Sequence, residues 1–377
     1  MKNIYIVINE DRFFLSHRKE IALAAQKEGY NVTIVAKDTG RRKEIEDLGL
    51  TFIQLPINPT GTNLREEFKT FRFLYSLYKK NRPDIVHHVG LKNILWGGLA
   101  AKMTSINGVV NAISGLGILF NQEPLSLKAK LTLKVLKYSH NRKNLIAIFQ
   151  NHEDEALFLN NHIINNEQIV FIKGSGVDLN LFNYTPEYPS DIIKIIFTAR
   201  MVREKGVEIL TEAAEILRSN YENKIEFWLC GGLSNNPSAL SQDEMNNLCD
   251  GKYIKWLGFR SDIIELLKQS HIMVFPSYYR EGLPKSSIDA CAIGRPIITT
   301  NSVGCKDTVE DGYNGFLIPI KDSKALAEKI EILVKDKNLR QTMGFNSRQL
   351  AERDFSLDYV ISKHLGIYNK LLNIPIS

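Results

Sequence analysis

Short apolar runs alternate with longer amphipathic stretches from one end of the chain to the other. In the first half the runs are NIYIVI, NVTIVA, TFIQL, DIVHHV, GVVNAI, LIAIFQ and QIVFI, and segments such as HRKEIALAAQKEG lie between them. Runs of this length between helical patterns predict the strands of a parallel sheet wrapped by helices. At residues 174–191, GSGVDLNLFNYTPEYPSD, the pattern lapses into Gly, Pro, Asn and Tyr, which predicts a linker. A second series follows: KIIFTA, KIEFWLC, YIKWL, IMVFP, PIITT and GFLIPI. The expected organisation is α/β, with two doubly wound units over residues 1–180 and 181–355. The last segment, 356–377, carries the amphipathic LDYVISKHLGIYNKLLN and is expected to pack back on the first unit. Ligands are expected at the carboxyl ends of the strands, between the units.

A length of 377 residues suits two cores. No apolar run approaches the roughly 18–20 residues of a membrane span, and MKNIYIVINEDRFF reads as a first strand, not a signal peptide. Cys230, Cys249, Cys291 and Cys305 have no CxxC spacing, so the expectation is a reducing, cytoplasmic setting without a zinc site or disulfide framework. Charge is uneven. Residues 1–180 hold 24 Lys/Arg against 17 Asp/Glu, and the remainder holds 24 against 25. The excess peaks at LSLKAKLTLKVLKYSHNRKN, residues 125–144, with six basic residues and no acid. Leu127, Leu131, Val135 and Tyr138 fall there at helical spacing, flanked by Lys128, Lys130, Lys134 and Lys137. One reading is a helix packing its Leu face on a sheet. The other is a basic amphipathic helix resting on an anionic membrane. Nucleic acid is disfavoured, because no binding motif accompanies the charge.

Three stretches of the second half place chemistry at strand ends. After IIFTA come Arg200, then Lys205 and Gly206 at a turn into a helix, two cations suited to a diphosphate. After YIKWL come Gly258, Phe259 and Arg260, a loop able to hold a flat base through its backbone. After IMVFP comes SYYREGLPKSSIDACAIG, with Glu281 on a loop tight enough to need Gly282 and Pro284, just before a helix. Loop acids at strand ends are placed for contact rather than packing.

Together ARMVREKG (199–206), WLGFRSDIIELL (256–267), PSYYREGLPKSSIDACAIGRPIIT (276–299), VEDGYNGFLIP (309–319) and the linker's GVDLNLF (176–182) resemble the retaining glycosyltransferases of family 4. The resemblance covers most of the second half, and the set in this order is specific where no single member is. It implies the GT-B fold, two Rossmann-like domains facing across a cleft, with the nucleotide sugar on the second. It further implies that Glu281 contacts the donor sugar and that Arg200 and Lys205 neutralise the departing diphosphate. Gly282, Leu283, Pro284 and Lys285 would shape and supply the backbone around sugar and phosphates. Asp289 stands where the family has a Glu holding the ribose, one methylene shorter.

The first half departs more: its first loop, NEDRFFLSHRKE, has no glycine, and AISGLGILF has Ser114 where many relatives carry a His. HHVGLKNILWGGLAAK (87–102) and SGLG look like the branch that builds bacterial surface polysaccharides on polyprenyl-diphosphate lipids. His87, His88, Lys92, Ser114, Gly115 and Gly117 are the acceptor-side candidates there. The expected activity is transfer of a sugar, from UDP, to a lipid-linked saccharide at the inner membrane face. No cofactor or metal is expected, since fixed cations and backbone dipoles answer the phosphate charge. Two alternatives are a sugar-nucleotide epimerase of the same architecture, which needs no acceptor, and a non-catalytic binding subunit of the same fold.

Overall fold

The computed structural model describes residues 1–59, 61, 63–120, 124–234 and 236–373. The chain forms two compact units: Met1–Ser175 together with the chain from Asp358 on, and Gly176–Leu357. In the first unit the seven apolar runs are seven strands: β1 (Asn3–Glu10), β2 (Asn31–Lys37), β3 (Thr51–Gln54), β4 (Ile85–Val89), β5 (Gly108–Ile113), β6 (Leu145–Phe149) and β7 (Ile169–Phe171). They lie in the order β3-β2-β1-β4-β5-β6-β7, every pair parallel. Every residue of β4, β5 and β6 is buried, because helices cover both faces of the sheet. The strand order reverses between β1 and β4, so the loops leaving these two strands diverge and open a crevice at their carboxyl ends.

Two expectations fail in this unit. His87 and His88 were candidates for touching an acceptor, yet both are fully buried. Neighbours on a strand point to opposite faces, and here each face claims one ring. His87 bonds to the Tyr368 hydroxyl at 2.8 Å, on the Leu357–Leu371 helix, and packs on His364. His88 lies between the Tyr78 hydroxyl (2.9 Å) and Asn111 (2.8 Å). A Cβ at Gly97 would sit 2.4 Å from the His88 ring, so the Leu91–Met103 helix lies directly against it. Burial lowers both imidazoles, His88 to about 4, and they act as neutral core groups. The loop expected after β1 is also absent: the Asp11–His17 helix starts where β1 stops. Buried Asp11 fixes that corner by accepting the Thr39 and Arg41 amides at 2.7 and 2.9 Å.

The basic segment forms the Leu127–His140 helix, capped by Ser126. Its core face is Ala129, Thr132, Leu133, Leu136, Ser139 and His140. Leu127, Leu131 and Tyr138 are instead exposed, at 83, 61 and 57%. The apolar stripe therefore points outward, among the lysines. Among the described residues no helix is long and apolar enough to cross a membrane.

The second unit repeats the plan with β8 (Ile193–Thr198), β9 (Ile225–Cys230), β10 (Ile254–Gly258), β11 (Ile272–Phe275), β12 (Ile297–Thr300) and β13 (Gly315–Ile318). Their order is β10-β9-β8-β11-β12-β13, again parallel throughout. Here the order reverses between β8 and β11. Arg200 follows one of these strands and Glu281 the other.

Candidate active site

The crevice beside β8 and β11 is closed by glycines at which nothing larger fits. The 3-10 turn Arg203–Lys205 ends at Gly206, whose φ is +85°, and a Cβ there would lie 2.2 Å from the Pro276 carbonyl oxygen. Gly304, after β12, has a φ of +81°, and its Cβ would lie 1.8 Å from the Gly282 oxygen. Two backbones thus touch from either side the loop that carries Glu281. Its base is fixed by Ser277, whose hydroxyl donates to the Glu204 carbonyl (3.0 Å), while the Tyr278 amide donates to that same carbonyl (2.9 Å).

Lys205 and Glu281 form an ion pair across this junction, with side chains 17 and 12% exposed. The Ser277 hydroxyl lies 3.0 Å from the same carboxylate oxygen, so its single proton is shared between Glu281 and the Glu204 carbonyl. The ammonium also lies over the Phe275 and Tyr279 rings, 5.4 and 5.6 Å from their centroids. Arg200 is exposed at the end of β8. Burial raises the Tyr279 hydroxyl; Glu281 adds to this and Arg200 opposes it, so both charges act on one ring. An ammonium has three donors, so Lys205 can keep Glu281 and still meet an anion.

Two helices begin beside this pair without a side-chain cap: Val207–Tyr221 after Gly206, and Lys285–Ile293 after Pro284. Their first-turn amides and dipoles form an anion-binding arrangement. One turn into the second helix, Asp289 pairs with Lys285, whose ammonium lies 5.2 Å from the Phe182 ring centroid. Burial pushes the Asp289 carboxyl above its ordinary value and Lys285 works against it. Leu283 is buried in the wall, and Pro284 (φ −62°) sets the entry to the helix. At the same sheet edge, beyond β9, Gly258 has a φ of +66°, Phe259 is 80% exposed, and Arg260 bonds to Asp262 at 2.8 Å. The donor-side candidates thus gather at one end of one sheet.

The acceptor-side candidates are less unified. Lys92 is engaged by Glu67 (2.6 Å) and the Asn58 carbonyl (2.7 Å), pinning the loop before the Leu64–Asn81 helix. Ser114 is exposed after β5, and Gly115 and Gly117 have φ of +96° and +64°. Ser277 and Gly304 were not singled out from sequence. A glycine soon after the buried strand IITT was the available signal for Gly304; Ser277 had none. Among the described residues no three His, Cys, Asp or Glu side chains are grouped to hold a metal ion.

Residues 186–350 match the family described as glycosyl transferases group 1, and residues 3–151 match glycosyl transferase 4-like, one in each unit. The chain belongs to this glycosyltransferase family. Two relatives align along almost all of it. The N,N'-diacetylbacillosaminyl-diphospho-undecaprenol alpha-1,3-N-acetylgalactosaminyltransferase of Campylobacter jejuni is 29% identical, covering 95% of this chain and 98% of its own. The UDP-Gal:alpha-D-GlcNAc-diphosphoundecaprenol alpha-1,3-galactosyltransferase of Escherichia coli is 25% identical, covering 90% and 89%. A glycosyltransferase structure from Rickettsia africae superposes with a TM-score of 0.78 at 22% identity, covering 98% of each chain. Two parallel-sheet Rossmann-like units in one glycosyltransferase chain are the GT-B architecture.

Proposed function

We propose that this glycosyltransferase moves a sugar from a UDP-sugar, with retention, onto a saccharide carried by a polyprenyl diphosphate in surface-polysaccharide synthesis. The observation that carries this reading is the end-to-end match to two enzymes whose names share one acceptor chemistry, a diphospho-undecaprenol-linked sugar, and one α-1,3 linkage. They differ in the sugar transferred, so the donor is assigned here by class.

The chemical task is to stabilise a nucleoside diphosphate as it leaves and a sugar with oxocarbenium character. In this reading Arg200, Lys205 and the uncapped starts of the Val207–Tyr221 and Lys285–Ile293 helices meet the diphosphate. Charge on the leaving group is offset by these groups rather than by a metal. Glu281 has two tasks, holding Lys205 and orienting the donor sugar. Phe259 offers its exposed ring beside the base, and Asp289 meets the ribose once Lys285 swings toward phosphate. Ser114, Gly115 and Gly117 line the acceptor side. The outward Leu127, Leu131 and Tyr138 with their lysines rest on the membrane that carries the acceptor.

The test is incubation with radiolabelled UDP-sugars, with and without polyprenyl-diphosphate saccharides. Label should move to lipid only when acceptor is present, and chelator should leave the rate unchanged. Conversion of the UDP-sugar without acceptor would favour an epimerase, and binding without any turnover would favour a non-catalytic subunit.

A further inference from the structure

The second unit carries another concentration of positive charge, away from the crevice at β8 and β11. A cavity of about 200 Å³ is lined by Tyr184, Glu187, His271, Arg295, Arg340 and Gln341, among others. It lies where β11 and β12 begin, at the opposite end of the Lys285–Ile293 helix from the donor loop, a helix of about 13 Å.

Its charges do not balance. Arg340 is 3% exposed and fully engaged: it grips Glu187 through two bonds, of 2.6 and 2.8 Å, and donates to the carbonyls of Leu333 and Val334. That uses the cavity's one carboxylate. His271 is neutral, because its Nδ1 accepts the Lys194 amide (3.0 Å) while its other nitrogen donates to the Tyr188 carbonyl (3.0 Å). Arg295 remains. It is 1% exposed, donates from one terminal nitrogen to the Thr185 and Pro186 carbonyls (2.6 and 3.4 Å), and its Nε has no partner among the described residues. Burial lowers this guanidinium to about 10, against the opposing pull of Glu187. A buried cation held only by carbonyls, beside an open cavity, is a poor way to solvate charge.

We propose that this cavity binds a small oxyanion, with Arg295 as its principal ligand. The bound anion supplies the missing negative charge, ties down residues 184–188 as they lead into β8, and stabilises the second unit. The inference stands independently of the donor assignment.

Thermal melting of the full chain in inorganic phosphate, at ionic strength held constant with chloride, tests it. Saturating phosphate, at about ten times its dissociation constant, should raise the melting temperature by about 3 °C. Lys205→Ala should keep that rise, since the cation it removes serves the other site. Arg295→Gln should lose it. Should Arg295→Gln not fold, Gln341→Glu decides, because it places a carboxylate at the cavity: it should melt higher without phosphate and no longer respond to it. No rise in the parent protein, a rise undiminished in Gln341→Glu, or a rise abolished by Lys205→Ala would overturn the assignment.

Discussion

At the scale of single residues, the site rests on one cation held in place before any donor arrives. Lys205 is fixed by Glu281, by two aromatic rings and by a turn that tolerates only glycine at 206. Lys205→Ala should cut turnover by about 10²-fold, the scale of losing one donor to a developing anion, with the melting temperature little changed. Turnover like the parent's would remove Lys205 from the diphosphate. Glu281→Gln keeps the shape but releases the ammonium, so turnover should collapse while UDP affinity by calorimetry holds or rises. Asp289→Asn, in contrast, should weaken UDP binding, and the opposite pattern would exchange the two acids. Arg200, Lys205 and Glu281 were legible in the sequence because strand, turn and helix follow one another within a few residues. The Asp289–Lys285 pair was not anticipated, although its i,i+4 spacing on a helix favours such a contact. His87 and His88 misled, although the alternation of strand side chains already forbids two neighbours from meeting one ligand.

At the scale of elements, the Leu127–His140 helix shows what hydrophobicity alone misses. Leucines fall on two of its faces: Leu133 and Leu136, with Ala129 and Thr132, are buried, whereas Leu127 and Leu131 are not. The buried face lies along the neighbouring helix, where a Cβ on Gly98 would sit 3.4 Å from the Ser139 hydroxyl. Leu127, Leu131 and Tyr138 are left outside, with Lys128, Lys130, Lys134 and Lys137 exposed around them. Each near-surface Lys contributes about 1 kcal/mol toward anionic lipid. Changing all four to Gln should release the protein from anionic vesicles in co-sedimentation, while activity on a short water-soluble acceptor persists. Binding should also fade in salt, as the Debye length falls to about 3 Å near 1 M. Sedimentation indifferent to both the substitutions and salt would leave the stripe without a membrane role. Strands were far easier to read than this face, since a run buried on both sides needs no choice of side.

At the scale of the whole molecule, each of the thirteen apolar runs is a strand, and the division into two parallel sheets follows their grouping. The burial of the histidines was not legible, because it depends on partners far along the chain. The histidines nonetheless set how the molecule meets acid. Burial lowers His88, His140 and His271 to about 4, His364 to about 3, and His87 well below its ordinary value. An unfolded chain protonates these rings near pH 6.5, whereas the folded chain keeps them neutral. Their contribution is therefore fully present above pH 6.5 and is lost as pH falls toward 4, where the unfolded state holds more protons. At about 1.4 kcal/mol per pKa unit, each ring lowered to about 4 accounts for roughly 3–4 kcal/mol, and His364 for roughly 5. Four of the five lie in the first unit and only His271 in the second. The first unit should accordingly unfold at higher pH than the second. Trp96 reports on the first unit, and Trp228 and Trp256 on the second. Fluorescence of Trp96→Phe and of the Trp228→Phe, Trp256→Phe double variant, titrated from pH 7 to 4, should give two separate midpoints, with Trp96 changing first. Coincident midpoints, or the second unit leading, would show that the buried histidines do not govern acid stability.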